Sequence, residues 1–157
     1  MTGWDLANIW WLSLGYYAFA VVSAVLPWVN AEALMLSAWS LPPSHVHLAV
    51  LVLVVTAGQM TGKSMMYWLS RSATHPRSPR MQAAVDKWRA RFERNPRSAL
   101  AVVFVSSAIG FPPFYIVSVA AGALKVAYGP FLTVGSCGRL LHFAIVALLP
   151  QLVWRNS

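Results

Sequence analysis

The sequence predicts an all-α polytopic membrane protein. Its fold class is an inverted repeat of two re-entrant helix hairpins, each followed by a transmembrane helix, joined by a basic cytoplasmic amphipathic helix. Three observations carry that prediction. Of the 157 residues, 58% are hydrophobic and 10% charged, where a soluble domain carries about 25% charged residues; the mean hydropathy is +0.58. Apolar runs are broken by proline at corresponding places in the two halves of the chain. The net charge of +8 is gathered in one stretch, with no Lys or Arg before Lys63 and a crowd of them from Arg71 to Arg97.

The length allows one membrane domain with a handful of segments: a first repeat over 1–70, a basic loop and helix over 71–97, and a second repeat over 98–157. The opening residues lack a basic stretch and carry Asp5, which argues against a cleaved signal peptide. Trp10 to Pro27 is apolar, and the hairpin break falls at Pro27, where Asn30 and Glu32 interrupt the run before Ala33 to Trp39 resumes it. Pro42 and Pro43 then form a turn, because neither can donate to a continuing helix. His45 to Ser70 supplies the roughly 20 apolar residues that a crossing needs.

In the basic stretch, Ser78 and Pro79 read as N-cap and first helical position, followed by Met81, Val85, Trp88 and Phe92 at helical spacing. The opposite face carries Lys87, Arg91 and Arg94, so the helix is expected on the cytoplasmic leaflet, against anionic headgroups. The pattern of the first half then returns. Ser98 to Phe111 is an arm, Pro112 and Pro113 a break, Ile116 to Leu124 a second arm, Tyr128 to Pro130 a turn, and Phe131 to Trp154 a span.

Non-helical backbone at a proline break survives in a membrane only where protein or a water-filled cavity shields it. Facing re-entrant hairpins meet that demand, and one net crossing per half makes the halves insert in opposite senses. With the basic loop in the cytoplasm, the first hairpin enters from outside and the second from inside, their tips meeting near mid-depth, with both termini outside. If 10–27 is instead a full span, the N-terminus lies in the cytoplasm.

"TAGQMTGKSMMYWL", from Thr56 to Leu69, imitates a phosphate-binding loop, but Ala57 stands where the first glycine belongs and Gly58 comes one residue late. The stretch reads better as helix packing. Gly58 and Gly62 form a small-xxx-small face that admits another backbone, with Thr61 and Ser64 able to bond across it. Gly135 and Gly138 form the matching face in the second half.

The order of landmarks resembles the DedA superfamily, also called VTT or SNARE-associated membrane proteins, over most of the chain. "LPWVNAEALML" resembles its proline-then-glutamate segment, and "GQMTGKSMMYWLSR" its glycine-rich helix with a tyrosine. "FPPFYIVSVAAGALKVAYGPF" resembles its proline break with an Ala-Gly pair. "GRLLHF" is similar to a stretch of the small YqaA-like branch. The resemblance implies two re-entrant hairpins and movement of polyprenyl-phosphate carriers or phospholipids between leaflets, with links to envelope maintenance and proton-motive force in the inner membrane. The family's lipid-carrier transporters hold arginines around the second break; this chain has Ala108, Ile109, Gly110, Phe111, Pro113 and Phe114 there. A phosphate ligand is missing at that place.

The site residues follow from lone polar groups in apolar runs. Glu32, the only acid between Asp5 and Asp86, suits a proton-linked step at the first break; its bland alternative is a helix-start residue beside the cap Asn30. Arg139 falls mid-run with His142 on the same face at i+3. Arg139 is the candidate for an anionic headgroup or for pairing with Glu32, and His142 for a proton relay. Lys63 can snorkel toward headgroups. Gln59 and Tyr67 are candidates for lining the cavity.

The lone Cys137 builds neither a disulfide nor a Cys-based metal site within the chain. No cofactor, no metal, no nucleic acid and no enzymatic triad or clustered carboxylates are expected, while a homo-oligomer remains open. The leading function is transport or scrambling of an anionic lipid. The alternative is a non-transporting interaction protein whose basic loop binds a partner or anionic lipid.

Overall fold

The computed structural model describes residues 3–26, 33, 45–73 and 79–154. Apart from residue 33 and the short connections, these parts form six helices: α1 (Gly3–Val25), α2 (His45–Ser72), α3 (Pro79–Arg94), α4 (Pro96–Ile109), α5 (Phe114–Ala123) and α6 (Tyr128–Trp154). No strand occurs among the described residues. The prolines set several boundaries. Pro79 and Pro96 stand at helix starts, where a missing N–H costs nothing, and α1 stops just before Pro27.

Among the described residues two stretches are long and apolar enough to cross a membrane, Leu48–Ser72 and Tyr128–Leu148. By contrast α4, with 14 residues, is about 21 Å long and α5, with 10 residues, about 15 Å at 1.5 Å per residue. Both fall short of the ~30 Å hydrocarbon layer. The expected turn at 128–130 is instead the first turn of α6; Pro130 fits there because the first N–H groups of a helix have no partner to lose. The chain turns at 124–127, where Lys125 is left-handed at φ 55°.

The chain folds as two compact units, one of Met1–Gly62 with Leu140–Ser157, the other Lys63–Arg139. In the first, Tyr16 and Ala20 of α1 pack with Leu51, Val52 and Val55 of α2 and with Phe143 and Ala147 of α6. Glycines let α1 and α2 approach closely. A Cβ on Gly58 would stand 2.6 Å from the Tyr17 carbonyl oxygen and 2.8 Å from the Ala20 Cβ. One on Gly62 would stand 2.5 Å from the Ala24 Cβ and 2.8 Å from the Val21 carbonyl oxygen. Polar side chains close the same seam. The Thr61 hydroxyl donates to the Ala57 carbonyl, so Tyr17 donates to Thr61 Oγ1 at 2.9 Å, and Gln59 Nε2 donates to Ser23 Oγ at 2.6 Å.

In the second unit, α4 and α5 pack on one another across the break at 110–113. Their outer ends border the same cavity, lined by Pro96, Ala99 and Leu124 among others. The break satisfies its own backbone. Gly110, left-handed at φ 85°, closes α4 with its N–H on the Ser106 carbonyl, and the Ser106 hydroxyl donates to the Pro112 carbonyl at 2.5 Å. Ser106, Ser107 and Ser118 are fully buried, each with its hydroxyl spent on a backbone carbonyl. Irregular backbone away from water requires such partners.

Large apolar side chains cover the outside of both units. Trp10, Trp11, Leu14 and Leu53 are exposed in the first, and Met65, Leu69, Ile109 and Phe111 in the second. Water rarely tolerates an apolar cover of this extent, whereas hydrocarbon does not distinguish it from a core.

Candidate functional site

The second break is where polar and aromatic chemistry converge. Phe114, the first residue of α5, is 2% exposed. From α2, Lys63 brings its ammonium to 5.9 Å from the Phe114 ring centroid and 6.0 Å from that of Tyr115. From α6, Arg139 sets its guanidinium 5.2 Å from the same Phe114 centroid. Two cations therefore approach one ring at the start of a helix whose N-cap, Pro113, makes no side-chain cap. The ring's negative face receives the two cations, and it is their positive charge together with the helix start that would favour an anion between them.

Lys63 is 4% exposed, so its ammonium is held inside the protein and does not reach out along the helix as snorkelling would have it. Gly138, one residue before Arg139, fixes the depth of α6 against α4: a Cβ there would collide with the Ser107 hydroxyl and stand 3.1 Å from the Ala108 nitrogen. Gly135 is buried on the same helix. Small residues thus bring Arg139 onto the break from a helix remote in sequence. Lys63 and Arg139 bring to the break the cationic groups that 108–114 itself lacks.

An aromatic column leads away from the break. Phe114 stacks with Phe131 at 6.2 Å, and Phe131 with Tyr67 at 5.0 Å. Tyr67 also touches Tyr128 and the edge of Trp68. Arg71 ends the column, over the rings of Tyr67 and Trp68 at 5.7 and 5.6 Å. Tyr67 is 0% exposed; its hydroxyl donates to the Val126 carbonyl and accepts from Arg71 Nη1 at 2.6 Å. It therefore ties α2 to the 124–127 turn. Ser64 accepts from the Tyr128 hydroxyl at 3.0 Å.

The other expected site residues fall elsewhere. Gln59, 3% exposed, is committed to Ser23 in the seam of α1 and α2. His142 sits edge-on to Phe143, ring centroids 5.4 Å apart. Pro27, Asn30 and Glu32 lie outside the described residues, as do the side chains of Met81, Val85, Trp88 and Arg91. Of the second break, Pro112 follows a cis peptide bond and Pro113 precedes α5. Cys137 is free and exposed. Among the described residues no group of three His, Cys, Asp or Glu could hold a metal ion.

Several contributors were missed in the sequence: Phe114, Phe131, the buried serines and Gly122, whose missing Cβ makes room for the Tyr67 carbonyl and Ser70. Two signals were available. Tyr67 and Arg71 stand at i and i+4 on α2, and Ala20 and Ala24 repeat on α1 the small-xxx-small spacing of Gly58 and Gly62.

A helical protein clad in apolar side chains, with spanning-length helices, a half-length helix pair, and a buried lysine and a half-buried arginine at its break, belongs to the class of membrane proteins. Residues 32–152 match the VTT domain, the domain of the DedA family, and the chain belongs to that family. No curated protein and no solved structure matches it.

Proposed function

We propose that this is a multi-pass inner-membrane transporter or scramblase of an anionic lipid, of phospholipid or polyprenyl-phosphate type, supporting envelope maintenance. The observation that carries the proposal is the approach of Lys63 and Arg139 to the Phe114 ring at the second break. A phosphate headgroup would be drawn to that place from the leaflet, its charge met by an ammonium, a guanidinium and the start of α5. The half-length helices α4 and α5 support a re-entrant hairpin, since neither can cross alone. In the full reading the first half repeats this arrangement in the opposite sense, and Glu32 at its break takes up and releases the proton that links movement to the proton-motive force. His142 serves that path as a relay.

The test is movement of headgroup-labelled phosphatidylglycerol across proteoliposomes containing the purified protein. Arg139→Met and Lys63→Met, each checked for a monodisperse elution profile, should slow it at least about tenfold, as loss of one charge-assisted contact implies. Arg139→Lys should retain part of the rate. Wild-type protein that moves no lipid, or neutralised variants that move it at the wild-type rate, would overturn the proposal.

A further inference from the structure

A cavity of about 190 Å³ lies between α3, the start of α4 and the turn into α6. It shares no residue with the break at Phe114. Its floor is apolar, from Phe92, Ala99, Leu100, Leu124 and Val126, and its charged side chains are Arg89, Glu93 and Lys125. Two of these groups show a particular economy. Arg89 gives Nη2 to the Ala123 carbonyl at 3.1 Å, at the last residue of α5, and its buried Nε has no hydrogen-bond partner. Its contact with Asp86 is long, at 3.9 Å.

Lys125 occupies the position where a helix end prefers glycine. The Val126 N–H bonds the Ala121 carbonyl and the Lys125 N–H the Gly122 carbonyl, the double bond pattern that places the residue after the C-cap in the left-handed region. At φ 55° Lys125 bears a strain that glycine would not. Strained residues of this kind persist where the surrounding structure imposes them, and they cluster at functional sites. Here the lysine brings a cation to the rim of an apolar pocket that already holds Arg89.

We infer that this cavity binds the headgroup of a zwitterionic phospholipid, one carrying a phosphate and a primary ammonium. Arg89 and Lys125 complement the phosphate, and Glu93 complements the ammonium. A purely anionic headgroup would meet the Glu93 carboxylate unfavourably, and a quaternary ammonium could not donate to it. The volume suits a headgroup and not a whole lipid. The apolar lining would lie against the glycerol end of the headgroup and the start of the chains, which favours a membrane lipid over a free phosphate ester. The inference does not rest on lipid transport, because the site stands apart from Lys63 and Arg139.

Native mass spectrometry of the detergent-purified protein, titrated with dioleoyl phosphatidylethanolamine, phosphatidylglycerol or phosphatidylcholine, tests it. Wild-type protein should retain the ethanolamine lipid about tenfold better than the other two, the worth of a charge-assisted hydrogen bond. Glu93→Gln should erase or reverse the preference over phosphatidylglycerol. Lys125→Gly should lose the preference for the ethanolamine lipid while raising the melting temperature. Equal retention of the three lipids by wild type, or a preference that survives Glu93→Gln, would refute the inference. So would retention of free phosphoethanolamine as strong as that of the lipid.

Discussion

At the scale of single residues, the chain uses glycine where backbones touch, and the cost of any side chain there can be stated in advance. Gly62→Val places atoms within the van der Waals radius of Ala24 and the Val21 carbonyl, and should destabilise the detergent-solubilised protein by about 1–3 kcal/mol or more. Gly15 has nothing within 4 Å of a Cβ, so Gly15→Ala should instead stabilise by up to ~1 kcal/mol through helix propensity. Thermal unfolding of the two variants checks both signs. The Gly58 and Gly62 face was legible in the sequence because spacing alone encodes it. The partner for Lys63 and Arg139 was not: an aromatic ring receives a cation by orientation, and nothing in "FPPFY" tells which way Phe114 points.

At the scale of elements, Tyr67 links α2 to the turn between α5 and α6 through the Val126 carbonyl and Arg71. Arg71 also reaches that carbonyl, but at 3.4 Å. Tyr67→Phe keeps the stacked ring and removes the hydroxyl, so unfolding should cost about 1–3 kcal/mol less than in wild type, the range for a buried polar group losing its bond. Gly122→Val should be worse, since a side chain there meets the backbone carbonyl of Tyr67 as well as Ser70. A denaturant or heat series on the two variants, with unchanged elution volume, reads the order. The helix start at Pro79 was legible from its proline, whereas the arm expected from Ser98 in fact begins at Pro96. The boundary near Pro130 was not legible: "YGP" looks like a turn but is a helix opening, because proline serves both and only the preceding left-handed Lys125 decides which. Arg71 and Arg89, which lie outside the expected face of Lys87, Arg91 and Arg94, donate to carbonyls at the end of α5 and in the turn after it.

At the scale of the whole molecule, the decisive issue is how half-length helices sit in a bilayer. Composition made membrane residence legible, since 10% charged residues cannot coat a soluble surface. The expected sidedness rests on the charge asymmetry around 71–97 alone, which orients loops without fixing where a break lies. The transport reading requires α4 and α5 to enter and leave through one face, as the shared cavity at Pro96 and Leu124 supports. Single cysteines replacing Asn95 or Ala127, in a Cys137→Ala background, settle the point when treated with an impermeant thiol reagent on membrane vesicles of defined sidedness. Both should react in inside-out vesicles and be protected in right-side-out ones. Reaction of Asn95→Cys from one side and Ala127→Cys from the other would mean that the helix pair crosses the membrane, and would contradict the account.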